Sequence, residues 1–331
     1  MSRMYSVTLI IALLSVLVVG RADAVQRAHV ATYGLDSNTS FNCSVANPCR
    51  FFQAATTVVD PNGEVVVLDS GGYGGVTLTQ SIALIAPAGV YAGISVFPGA
   101  HVVTIATAGV NVVLRGLTIN GQGGDIGINM TAGARLTVEN CLIANLANGI
   151  VVNTPAIVRV TDTTIRDTAG YGLILVDGTR ATVTRATISG NGNGGIYVLG
   201  IVAGTWTTAD IADSTMDGNL FGVYAFSGNA TAVVKVSVRD SRAVRNANYG
   251  LAAQSNAGGP ATLSASNNMI SNNDTGIGAY NAGSKVWASG NTVSDSRIGL
   301  LNASGVFESA GNNAVRNNST NAISITTVPT M

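Results

Sequence analysis

Gly172-Leu173-Ile174-Leu175, Gly195-Ile196-Tyr197-Val198 and Gly222-Val223-Tyr224-Ala225 are three successive statements of one phrase. A small residue is followed by an aliphatic one, which enters a short apolar strand. The phrase opens at Gly127-Ile128 and Gly149-Ile150, and continues past these three through Gly250-Leu251, Gly276-Ile277, Gly299-Leu300 and a degenerate Ala322-Ile323. Steps between anchors are 22, 23, 23, 27, 28, 26, 23 and 23 residues. A period in the twenties, rich in turn residues and β-branched side chains, is the signature of a solenoid with one repeat per turn of the stack.

Within each coil, the residue after the anchor and the second one beyond it are expected to point inward. One coil cannot bury its own apolar face, but a stack buries a continuous column, each Leu, Ile or Val contributing roughly 1.5–3 kcal/mol when fully buried. Four residues before five of the anchors stands an asparagine: Asn145, Asn191, Asn246, Asn272 and Asn318. Asparagine tolerates the left-handed turn conformation, and its amide can bond to the asparagine of the next coil. The expected role of this column is structural. Earlier strands are read at Val65–Leu68, Val76–Leu78, Ile82–Ile85, Ile94–Val96, Val102–Ile105 and Val112–Leu114. About 11 coils at roughly 4.8 Å each predict a rod on the order of 50 Å long.

The segments before the stack differ from it. Residues 1–24 read as a signal peptide: Arg3 in the first few residues, an apolar run from Val7 to Val19, and Ala22-Asp23-Ala24 with cleavage after Ala24. That run is too short to span a bilayer, and no later segment qualifies. Residues 25–60 are assigned as a capping segment, and 61–331 as the solenoid. Asn47-Pro48 suggests a helix N-cap, with Phe51, Phe52, Ala55 and Val58 or Val59 at helical spacing. The helix would cover the first coil, whose core and strand edge are otherwise open. Cys43 and Cys49, six residues apart, are expected to pair in an oxidising compartment, and Cys141 to pack as a buried small hydrophobe.

Composition narrows the functional classes. Charged residues are 10% of the chain, and the formal net charge is zero. Removing Arg3, Arg21 and Asp23 leaves 15 basic and 16 acidic residues, a charge of −1. With only two lysines, Lys235 and Lys285, there is no electrostatic footprint for nucleic acid or anionic lipid. A polar, uncharged surface suits sugars better than phosphates. Gly190–Gly195 fits GxGxxG but precedes a strand instead of opening a helix, so no dinucleotide site is assigned. Gly121–Asp125 reads as a loop. No GxSxG occurs, no Cys and His spacing fits zinc, and neither metal nor cofactor is expected.

Phe52-Gln53-Ala54-Ala55, then Gly63-Glu64-Val65-Val66-Val67, then Gly72-Tyr73, resemble the capping helix and first coil of the pectin-lyase-like superfamily. The resemblance spans roughly residues 28–325 and is nearest to secreted bacterial β-helix repeat proteins. It implies an all-β, right-handed parallel β-helix, secreted or periplasmic. Lyases of this fold carry clustered Asp residues and an Arg base, and its hydrolases carry close Asp pairs and a His-Gly dipeptide. This chain has no Asp-Asp pair and no His-Gly, and His29 and His101 lie outside the regular coils.

Two groups of candidate residues remain. Asp162, Asp213 and Asp240 are read as starting equivalent strands, with Arg185 in the coil between the first two and Arg239 and Arg242 nearby. They could serve a polysaccharide lyase or hydrolase with a non-standard site, or form a ladder of alternating charge worth little in stability. Tyr171, Phe221 and Tyr249 stand one residue before an anchor, and Tyr197 and Tyr224 two after. If both columns face out, five rings cluster over four coils, as a sugar-binding surface would. The alternative is that they pack on one another. The expected function is glycan binding on this face without catalysis. The other possibilities are the lyase or hydrolase, and a structural or adhesive rod.

Overall fold

The computed structural model describes residues 25–328, so the signal peptide read at residues 1–24 lies outside the described residues. The chain winds as a right-handed solenoid of about 11 turns, and every strand pairing within its sheets is parallel. Each turn contributes to three sheets in the same order. The first sheet has 13 strands, from Arg27–Val30 to Thr326–Thr327. The second is built from short strands such as Thr164–Arg166, Thr187–Ser189 and Thr215–Asp217. The third carries the anchor phrases, in Tyr171–Val176, Gly194–Gly200, Phe221–Ser227, Tyr249–Ser255, Thr275–Tyr280 and Ile298–Ala303. Leu117–Ala132 and Leu142–Val152 are long because they run on from the second sheet into the third.

The anchor glycine repeats for a steric reason. A Cβ on Gly195 would stand 2.5 Å from the carbonyl oxygen of Gly222, and one on Gly222 would stand 2.5 Å from that of Gly250. Successive coils approach so closely at this corner that only glycine fits. The two alternate residues after it point inward as expected: Leu173 and Leu175, Ile196 and Val198, Val223 and Ala225 are fully buried in one continuous core.

The bend from the second sheet into the third holds a buried polar ladder, in a register that differs from the sequence expectation. Asn191 donates from its backbone and its amide to Asn219 Oδ1 (3.0 and 2.9 Å), Asn219 likewise to Asn246 (3.1 and 3.2 Å), and Asn246 to Asn273 (2.9 and 3.0 Å). Ser296 and Asn318 continue it. Asn145 and Asn272 instead occupy the neighbouring column, exposed and left-handed with φ of 57°. That column also holds Asp167, Gly190, Gly218, Arg245, Asp295 and Asn317. The distance from bend to anchor varies by one residue between coils, so a fixed offset of four mixes the two columns.

A second buried ladder lines the bend from the first sheet to the second. Ala186 N–H donates to Ser214 Oγ, Ser214 N–H to Ser241 Oγ, Ser241 N–H to Asn268 Oδ1 and Asn268 N–H to Asn291 Oδ1, all within 3.1 Å. These bonds satisfy backbone donors turned inward at a corner, which would otherwise be costly to bury.

At the N-terminal end, Arg27–Val30 is the outermost strand of the first sheet and pairs with Gly63–Val67. Cys43 and Cys49 form a disulfide, and their loop bonds along that edge: His29 N–H to Cys43 O (2.7 Å), Cys49 N–H to His29 O (2.9 Å) and Ala31 N–H to Cys49 O (3.0 Å). The disulfide loop thus occupies backbone groups that a free edge would leave open. The helix beside it spans only Phe52–Ala55 and begins after Phe51 with no side-chain cap. Asn47-Pro48 is not its start. Four residues separate Asn47 from the first helical residue, and the loop through Cys49 is held instead to the strand. Phe52 and Ala55 enter the core, and the Phe52 ring packs 5.6 Å from that of Tyr73. Cys141 is a free, buried thiol, pushed up to about 11 by burial.

Candidate functional site

The outer face of the third sheet carries a ribbon of aromatic rings. Tyr171, Tyr197 and Tyr224 stack with centroids 5.3 and 5.5 Å apart and planes within 20° and 11° of parallel. The spacing is set by the sheet, because Tyr197 pairs directly with Tyr224 across neighbouring strands. Phe221 sits within 5.0–5.9 Å of all three rings and is itself buried. Tyr249 continues the ribbon 6.0 Å from Tyr224. All five sequence candidates therefore come together. Phe221 serves as packing within the ribbon, and the four tyrosines are part-buried and part-exposed.

Two further rings belong to the ribbon. Phe226 lies 6.0 Å from Tyr224, and Tyr280 lies 4.9 Å from Tyr249. Both stand one outward position further along their strands than the columns read from the sequence. Strand alternation from Tyr224 through Phe226 was the available signal. Small residues let the rings lie down on the sheet. A Cβ on Gly194 would fall 2.4 Å from the Phe221 ring, and one on Gly278 the same distance from that of Tyr280. Ala252, outward-facing between Tyr224 and Gly278, is completely covered.

Polar groups accompany the rings. The Tyr224 hydroxyl donates to Gln254 Oε1, and Gln254 donates from Nε2 to Asn256 Oδ1 at 2.6 Å. Tyr280's hydroxyl is buried without a partner among the described residues. Burial, and then the adjacent Tyr171, push the Tyr197 hydroxyl up to about 12, and burial likewise raises those of Tyr224 and Tyr280. Burial thus keeps the Tyr197, Tyr224 and Tyr280 phenols neutral among the apolar rings.

The acidic candidates lie elsewhere. Asp162, Arg185, Asp213 and Asp240 occupy one column at the bend between the first and second sheets, all left-handed with φ of 50–52°. They sit two residues ahead of the short strands and do not begin them. Arg185 grips Asp162 with both forks, Nε to Oδ1 at 2.6 Å and Nη2 to Oδ2 at 2.8 Å, and this bond holds the Asp162 carboxyl below its usual range. Asp240 pairs with Arg239 at 3.4 Å. Asp162 and Asp213 are two coils apart, roughly 10 Å by strand spacing. Among the described residues no three His, Cys, Asp or Glu side chains gather as a metal site. A concavity of about 500 Å³ near the N-terminal end, lined by Asp36, Phe51, Gln53 and Gly74, adjoins neither the ribbon nor the acidic column.

Residues 91–208 match the family described as right handed beta helix region. No curated protein matches the chain at a significant level. Among solved structures, pectate lyase Pel9A superposes with a TM-score of 0.63 at 17% identity, over 89% of this chain and 80% of that one. The A-module of mannuronan C-5 epimerase AlgE6 from Azotobacter vinelandii superposes with a TM-score of 0.53 at 15% identity, over 81% of this chain and 91% of that one. Identities this low carry the fold and not the chemistry. In fold, the chain is a right-handed parallel β-helix, the fold it shares with these two structures.

Proposed function

We propose that this protein is an exported, glycan-associated β-helix that binds a polysaccharide or cell-surface glycan along the aromatic ribbon of its third sheet, without chemistry. The observation that carries this is the continuous run of rings from Tyr171 to Tyr280 on one outer face. Tyrosine offers apolar ring carbon and a hydroxyl to a sugar at a low cost in side-chain entropy. Rings about one coil apart follow a step similar to that between residues of an extended polysaccharide. Two proteins of similar fold act on polysaccharides by name, pectate and mannuronan. The Cys43–Cys49 disulfide supports an oxidising destination.

Catalysis at Asp162, Asp213, Asp240 and Arg185 draws less support. The best-placed carboxylate is already held by an arginine, and the group follows an exposed bend. The test is retardation of the mature protein in gels containing soluble polysaccharides, wild type against a Tyr197→Leu/Tyr224→Leu double variant. Matching far-UV circular dichroism would show that the variant is folded. Loss of retardation is expected; a folded variant retarded like the wild type would remove the ribbon from the binding site.

A further inference from the structure

The distribution of charge around the ribbon defines what class of glycan it fits. Eight consecutive strands of the third sheet, from Leu142–Val152 to Thr320–Ile323, contain no Asp, Glu, Lys, Arg or His. On the same coils, seven of the eight first-sheet strands from Arg135–Glu139 to Val306–Ser309 carry at least one charge. The five aromatic strands, from Tyr171–Val176 to Thr275–Tyr280, lie within that charge-free stretch. Of the arginines at the bend leading into the third sheet, Arg166 pairs with Asp167, Arg245 with Asp217 and Arg297 bidentately with Asp274 at 2.6 and 2.9 Å, while Arg316 lies two coils beyond the last ring of the ribbon. The polar groups left beside the rings are amides and hydroxyls, such as those of Gln254 and Asn256.

A uronic-acid polymer carries a carboxylate on each sugar. Laying it on this face would desolvate those carboxylates against apolar rings, with no cation on the ribbon's own strands to meet them. A neutral polymer has no such cost, and it presents C–H faces to the rings and hydroxyls to the amides. Resting on the binding function proposed above, we infer that the ligand is an uncharged polysaccharide, extended along the helix axis. The ribbon runs through five coils, about 20 Å at the strand spacing, which accommodates an oligosaccharide of roughly four sugars. The inferred ligand thus differs in charge from pectate and mannuronan, the polymers named for the two structural neighbours.

The experiment compares affinities of the full mature protein for neutral probes, a soluble glucan and a galactomannan, with those for pectate and mannuronan, at low and high salt. The ribbon double variant is run in parallel. Neutral binding at least about tenfold tighter than acidic binding is expected. It should change little with salt, because no ion pair is screened, and it should be lost in the variant. Acidic polymers binding more tightly, in a salt-sensitive way and through the ribbon, would overturn the neutral assignment and leave ribbon binding standing. Binding of any polymer that persists in the folded variant, or no binding of any polymer, would overturn both. A Tyr197→Phe variant guards against loss through misfolding, since it keeps the ring stack and is expected to retain most of the affinity.

Discussion

The first and third sheets share a backbone plan and a core, yet present opposite surfaces. On the first sheet, outward residues form exposed pairs such as Arg115–Glu139 and Lys285–Glu308. On the third, the same pleat presents rings laid over glycine and alanine. Inward residues are alike in the two, chiefly Val, Leu, Ile and Ala, with Phe307 in the first and Met130 in the third among the exceptions. The scaffold therefore specifies only which side chains emerge and at what spacing, while the outward residues decide whether a face repels or receives an apolar partner. Exposed ion pairs contribute little to stability. Packed aromatic pairs contribute about 0.5–1.5 kcal/mol each beyond their buried area, so the third face matters to the fold as well as to the ligand.

The largest expected break in this contrast comes from moving a charge between faces. Ala252→Lys would force an ammonium into a covered position between Tyr224 and Gly278, and is expected to destabilise by about 3 kcal/mol or more. Ser264→Lys, outward on the first sheet, should stay within about 0.5 kcal/mol. Urea unfolding of the two variants measures the difference, and equal losses would show that the two faces are not distinct. A smaller effect is expected at Gly278→Val, whose Cβ would stand where the Tyr280 ring lies. The ring must lift, at about 1–3 kcal/mol, and near-UV circular dichroism should change while far-UV does not. An unaltered near-UV spectrum would contradict the placement of Tyr280.

Smallest is an alkaline effect confined to the ribbon. Tyr197 titrates near 12 in the fold against an ordinary value of 10.0, chiefly through burial. Its folded value is the higher, so the folded state holds the proton more tightly. Its contribution is complete below about pH 10 and is lost as pH rises toward 12. Tyr197→Phe should flatten the fall of stability in that window, as read by thermal unfolding, and leave the profile at neutral pH unchanged. Parallel profiles in wild type and variant would contradict the burial of that hydroxyl.

Much of the fold was legible because repeats expose their constraints. Gly149, Gly172 and Gly195 recur since no Cβ fits between coils, and the residues after them alternate in and out with the pleat. Registers set by bends of variable length were not legible. Asn219 and Asn273 complete the buried ladder, yet they stand three residues before their anchors where Asn191 and Asn246 stand four before theirs. The short helix at Phe52–Ala55 was found and its cap was not, because the chain through Cys49 follows an edge strand that local propensity does not reveal. The aromatic candidates were visible as two columns. Phe226 stands two residues beyond Tyr224 on the same strand and was within reach of that alternation, whereas Tyr280 meets Tyr249 only once neighbouring coils are stacked. The acidic residues looked like strand starts, whereas they are left-handed corner residues whose charges face solvent.

The most direct test of the central claim is a titration of ring-labelled tyrosine resonances with a neutral oligosaccharide of about four sugars, the length set by the coil spacing. Tyr33 and Tyr91, 66% and 52% exposed and remote from the ribbon in sequence and fold, act as internal controls. Shifts of Tyr171, Tyr197, Tyr224 and Tyr249, with Tyr33 and Tyr91 still, are predicted. Binding that leaves those four unmoved, or that moves Tyr33 or Tyr91 instead, would contradict the assignment of the ribbon as the binding face.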